Sequence, residues 1–146
     1  MDFELPSLRQ QREIVYRANV DKACGQLKDN LNAPHFRQFD PRYEDPSLYS
    51  QAHLRKENEG WEPPAPDLVY AYFSHFKSVQ SYASDKELAH LLGITDRQIR
   101  RFKSGETPVP YGIWHKFLVI TGRKVQDIYP VIGFFELPPT EESDHV

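Results

Sequence analysis

Residues 84–105 constrain the fold more than any other stretch of the chain. Ser84 and Glu87 stand three positions apart, and so do Thr95 and Gln98. That is capping-box spacing, in which each member of a pair can bond the other's backbone N–H at a helix start. Two helix starts this close leave room for one short helix and a turn, and Gly93 supplies the backbone freedom the turn needs. Leu88, Ala89 and Leu92 form an inward stripe on the first helix, and the small Ala89 lets a second helix cross closely. Ile94 plugs the angle between the two. Ile99 and Phe102 face inward on the second helix, which leaves Asp96, Arg97, Gln98, Arg100, Arg101 and Lys103 pointing outward or sideways.

On that second helix Arg97, Arg100, Arg101 and Lys103 face a single acid, Asp96, a local net charge of +3. The 146-residue chain as a whole carries −3, from 18 basic and 21 acidic side chains. By segment, residues 1–66 carry −2, residues 67–135 carry +3 and residues 136–146 carry −4. The near-neutral total does not exclude a nucleic-acid partner, because the local field at a patch governs polyanion binding. No apolar run approaches the roughly 20 residues needed to cross a bilayer, and Met1-Asp2-Phe3-Glu4 does not open a signal peptide. A cytoplasmic protein is therefore expected.

The lone Cys24 excludes an internal disulfide framework and multi-cysteine metal sites. It falls on the apolar side of a predicted helix and reads as a small buried hydrophobe. His35, His53, His75, His90, His115 and His145 make no metal-ligand spacing. No nucleophile triad order, phosphate-cradling glycine loop or close acid pair stands out. Neither an enzyme, a metal nor a cofactor is expected.

Along the chain, Ser7 precedes a predicted helix to about Leu31, with Leu8, Val15, Ala18, Ala23, Leu27 and Leu31 near a 3.6-residue period. Pro34, Pro41 and Pro46 rule out a long helix next. Asp45 and Pro46 have the form of a cap and first helical position, predicting a short helix to about Asn58. Phe36, Arg37, Phe39, Arg42 and Tyr43 interleave aromatic and basic residues, as an arm on DNA, a protein-docking surface or, the preferred reading, a proline-braced loop packed over the C-terminal bundle. Residues 59–66 read as a linker. Asp67 is placed as the cap of a helix through about Val79, with Leu68, Tyr72, Phe73 and Phe76 on one face. A further helix spans residues 111–121, ended by Gly122, and 125–129 adds a turn. Tyr111, Trp114, Phe117 and Leu118 are assigned to the core. Lys116, Arg123 and Lys124 are surface residues within reach of phosphates. Val131, Ile132, Phe134 and Phe135 predict a short strand. Residues 137–146 read as a solvated acidic tail.

Residues 67–130, through Leu88-Ala89, Leu92-Gly93, the Thr95 cap, Ile99 and Ser104-Gly105, resemble the helix-turn-helix of the phage-repressor (Cro/C1-type) family. The resemblance implies a bundle of four or five helices with the 95–103 helix in the DNA major groove. It implies base reading by Asp96, Arg97 and Arg101, and phosphate contacts at Ser84, Asp85 and Ser104. From the residues themselves, Arg97 lies near the helix start, where base edges are reached first, and Arg can take guanine O6 and N7 together. Arg101 lies one turn further on. Gln98 suits adenine or a phosphate, and Arg100 a base or a phosphate. Lys86, Thr95 and Lys103 complete the expected backbone contacts. Asp85 and Asp96 are acidic where the family places neutral polar residues, and Asp96 suits the positive helix start or cytosine N4.

The expected fold class is mainly α: a four- to five-helix repressor-like domain at 67–135, a helical, proline-rich extension at 1–66 and a short C-terminal strand. The expected function is sequence-specific binding of double-stranded DNA by a transcriptional regulator, a repressor of phage or plasmid type. A homodimer on an inverted-repeat operator follows, since one helix reads only a few base pairs. Its interface is placed either on the first helix or on an edge strand at 131–135. Two alternatives stand beside this reading: a protein-binding inhibitor or adaptor acting through residues 1–66, and a DNA-packaging or replication accessory protein.

Overall fold

The structure, a computed structural model, describes residues 7–37, 40–79 and 84–136. It is mainly helical: α1 (Leu8–Asp29), α2 (Pro66–Val79), α3 (Asp85–Leu92), α4 (Asp96–Ser104) and α5 (Tyr111–Ile120). No strand occurs among the described residues. The chain divides into two units, one running Phe36–Ile128 and the other joining the residues up to His35 with those from Tyr129 onward. The acidic tail at 137–146 lies outside the described residues.

In the larger unit α4 packs on α2 and α3, and α3 packs on α5. Leu68, Phe73, Leu88, Ile99, Trp114, Phe117 and Leu118 are fully buried. The rings of Phe73 and Phe117 meet edge-to-face at 4.9 Å, and Trp114 stacks on Phe117 at 5.3 Å. Apolar burial of this kind is what holds short helices together, since isolated segments of eight to ten residues are marginal in water. α2 begins at Pro66, so Asp67 sits inside its first turn rather than at its cap. There Asp67 accepts a hydrogen bond from the Tyr49 hydroxyl at 2.6 Å.

Residues 40–65 wrap over these helices. The helix expected from Pro46 does not propagate. Asp45 accepts from Ser47 N–H as a cap would, but the chain then turns, and short 3₁₀ segments form at Pro41–Glu44 and Ala52–Leu54. The reason is tertiary: Ala52 and His53 are drawn into the core, and one turn without an apolar face gains little from extending. Trp61 Nε1 donates to the His53 carbonyl at 3.1 Å, and its ring meets Tyr111 at 5.3 Å. Trp114 Nε1 donates to His53 Nδ1 at 3.0 Å. Arg123 lies over the Tyr72 ring at 4.1 Å and approaches Glu44 at 3.7 Å, while Lys124 donates to the Arg55 carbonyl at 3.0 Å. These two cations clamp the wrap.

Three further expectations are corrected. The turn expected at 125–129 is absent, because Asp127 is held elsewhere: its N–H donates to His115 Nε2 at 3.1 Å and its carboxylate accepts from the Tyr111 hydroxyl. Val131, Ile132, Phe134 and Phe135 form no strand, since a ladder needs a second strand and the described chain offers none. Cys24 is exposed rather than buried, because α1 buries none of its residues. In the smaller unit, the chain after Tyr129 touches α1 through Phe134, edge-to-face on Tyr16 at 5.1 Å, and through Glu136, paired with Arg9 at 2.9 Å.

Candidate functional site

α3 and α4 are each built from local signals. Ser84 Oγ accepts from Glu87 N–H at 3.2 Å and opens α3. Gly93 closes it in the left-handed conformation, φ +74°, a region other residues reach only at a cost. Thr95 and Gln98 complete the reciprocal cap of α4: Thr95 Oγ1 accepts from Gln98 N–H, and Gln98 Oε1 accepts from Thr95 N–H at 2.9 Å. Gly105, φ +81°, closes α4 against Pro66. Thr95 therefore serves the helix start, and Gln98 shares that duty through its amide oxygen.

Ile99 and Phe102 anchor one side of α4 in the core. Arg97, Arg100, Arg101 and Ser104 share another side at spacings of three and four, so they project together. Arg97 is exposed and has no side-chain partner among the described residues. Arg100 donates to Asp96 at 3.0 Å, an exposed pair one turn apart. The Arg100 hydrogen bond, opposed by slight burial, holds the Asp96 carboxyl below its ordinary range. Asp96 also accepts from Arg97 N–H, so it serves the positive helix start. Arg101 lies 3.8 Å from Glu106, too long for a tight bond. Ser104 Oγ donates to the Arg101 carbonyl and accepts from Glu106 N–H. Lys86 is exposed on α3, with no ion pair among the described residues.

Asp85 and Lys103 differ from these. Their side chains are only 19% and 16% exposed, and they pair with each other at 3.0 Å. Lys77 of α2 closes the set by donating to Asp85 at 2.6 Å. Burial works to raise the Asp85 carboxyl, but the hydrogen bonds from Lys77 and Lys103 outweigh it and hold it lowered. Lys103 also approaches the Tyr70 ring at 5.6 Å. One carboxylate thus ties α2, α3 and α4 together at a single point. Lys77 was not singled out in the sequence, where only its place in the last turn of α2 marks it. The family-derived phosphate position Asp85 and the expected phosphate ligand Lys103 are therefore turned toward each other.

Three guanidinium groups thus project outward on a helix about 13 Å long. Among the described residues no three His, Cys, Asp or Glu side chains gather to hold a metal ion, and no helix is long and apolar enough to cross a membrane. Comparisons with protein-family models, with curated proteins and with solved structures find no match to this chain.

Proposed function

We propose that the chain is a sequence-specific double-stranded DNA-binding regulator of transcription, a repressor of phage or plasmid type, in which α3, the Gly93 turn and α4 act as a helix-turn-helix. α4 enters the major groove, and a homodimer reads an inverted repeat. The observation that supports this best is the shared outward side of α4, where Arg97, Arg100 and Arg101 stand on a helix fixed by a double cap and by Ile99 and Phe102. A rigid helix that carries guanidinium groups loses little freedom when it docks.

The roles divide as follows. Arg97 and Arg101 read base edges, guanine above all. Arg100 leaves Asp96 for a phosphate or base, which costs little because an exposed pair is weak. Gln98 addresses adenine or a phosphate through its amide N–H₂. Ser84, Lys86, Thr95 and Ser104 approach the backbone. Asp85, Lys103 and Lys77 brace the two helices.

Selection of bound sequences from a random duplex pool tests the reading, followed by titration across salt. The expected outcome is an enriched palindrome and a log–log salt slope of several units. Arg97→Ala should cost about 1–3 kcal/mol on the selected site and relax preference at one position. No duplex affinity at about 150 mM salt would overturn the reading and favour a protein-binding adaptor.

A further inference from the structure

We infer that the smaller unit, α1 with the segment 129–136, is a self-association surface whose occupant is a second copy of this chain. The two ends of the chain build it jointly, through Tyr16 against Phe134 and Arg9 against Glu136. Either end alone is incomplete. α1 carries apolar residues on two sides: Tyr16 and Val20 on the side the C-terminal segment touches, and Leu8, Val15 and Ala18 round the helix from it, with Ile14 nearby. A helix that served only as a spacer would not need both.

The area decides in favour of a large partner. Eleven large apolar side chains of this unit are at least 43% exposed, with Ile132 at 99% and Phe135 at 98%. Seven of them belong to the Tyr16 and Val20 side of α1 and to the segment 129–136 that packs on it through Phe134, and at roughly 150–200 Å² for each fully open side chain they expose on the order of 700 Å². A monomer's largest apolar patch is typically about 300–600 Å², and one partner in a standard interface gives about 800 Å². The described residues of the unit carry five basic and four acidic side chains. That balance lets two copies approach without a single-sign field between them, and it offers little to a strongly charged partner. The second copy is also the one occupant that must present the same surface, which a two-fold interface requires.

The inference does not depend on DNA binding, although it would supply the dimer that reading needs. Sedimentation equilibrium of the full chain from low to high micromolar concentration tests it, beside the double variant Ile14→Asp, Phe135→Asp. The expected result is a concentration-dependent dimer whose dissociation constant rises at least a hundredfold in the variant. Trp61 and Trp114 both lie in the larger unit, so their near-ultraviolet dichroism and melting should stay unchanged. A chain that is monomeric throughout overturns the inference. So does a variant that dimerises as tightly as the native chain, or a native monomer that binds neutral lipid vesicles instead. A dimer with no duplex affinity would overturn the proposed function and leave this inference standing.

Discussion

Helices α1 and α4 open on the same reciprocal cap, Ser7 with Gln10 and Thr95 with Gln98. α4 has nine residues and buries Ile99 and Phe102, whereas α1 has 22 and buries none. The local code for starting a helix is identical, and the surroundings are opposite. α4 sits between α2 and α3 with its charges sorted to one side, while α1 spreads apolar and charged residues around its girth. The contrast shows that caps fix where a helix begins and apolar sorting fixes what it joins. It also gives a mutational test, because equal substitutions should have unequal consequences in the two units.

The widest gap should appear at apolar positions. Trp114 is fully buried and donates to His53, so Trp114→Ala leaves both a cavity and an unpaired ring nitrogen. It should lower the stability of the larger unit by about 3–5 kcal/mol. Val15→Ala in α1, at a side chain 59% exposed, should change the same thermal melt by no more than about 0.5 kcal/mol. Comparable losses from the two would mean that the units are not distinct. A second contrast lies within the larger unit. Both Gly93 and Gly105 have positive φ, but a Cβ on Gly105 would meet the Pro66 ring at 2.8 Å, whereas one on Gly93 meets nothing within 4 Å. Gly105→Ala should cost about 2 kcal/mol or more, and Gly93→Ala about 1 kcal/mol. Chemical denaturation of the two variants checks the order.

What could be read in the sequence follows the same division. The caps at Ser84 and Thr95, the turn at Gly93 and the inward set Leu88, Ala89, Leu92, Ile99 and Phe102 all rest on neighbours a few residues apart, and all appear in the structure. The outward Arg97, Arg100 and Arg101 were legible for the same reason. The wrap was legible only as a proline-braced loop. What fixes it is the bond between Trp114 and His53, 61 residues apart, and no periodicity signals such a pair. The ion set of Asp85, Lys77 and Lys103 was likewise hidden, because its members come from three helices. Cys24 was misplaced by the assumption that apolar spacing implies a buried partner within the chain, and the 131–135 segment by its β-prone composition, which brings no second strand with it.

His53 allows the wrap to be probed by pH. Burial holds its imidazole neutral, with Arg123 nearby adding to the effect, and its pKa is pushed down to about 4. The unfolded imidazole takes up protons from about pH 6.5, the folded one only near 4, so stability is lost as pH falls through that window and is level above it. The loss should be about 2 kcal/mol once solvent screening is allowed for. His75 and His115 are also lowered, chiefly by burial, and add the same sign of slope. His53→Asn keeps an acceptor for Trp114 but cannot titrate. Denaturant unfolding at pH 6.5 and pH 4.5 should show a smaller drop in that variant than in the native chain. Equal drops would mean that the imidazole is reached by water and protonates freely. Among its described residues the unit holding α1 contains no buried histidine, so its helicity should be indifferent over the same range.

The smallest effect isolates the opening comparison. Thr95→Ala and Ser7→Ala each remove a side-chain acceptor, for the N–H of Gln98 and of Gln10 respectively. Cap removal costs about 1 kcal/mol wherever the helix end is held in place. In α4 that cost is coupled to the core through Ile99 and Phe102, so Thr95→Ala should shift the near-ultraviolet tryptophan melt by a few degrees. In α1 nothing buried carries the loss to the rest of the chain. Ser7→Ala should therefore fray the first turn and lower far-ultraviolet helicity, leaving the tryptophan melt in place. If α1 associates with a second copy, the fraying should also become concentration-dependent: visible where the chain is monomeric and suppressed where it is dimeric, because the contact then supplies what the missing cap does not. A Ser7→Ala effect equal to that of Thr95→Ala at every concentration would show instead that α1 is already coupled to the core of its own chain.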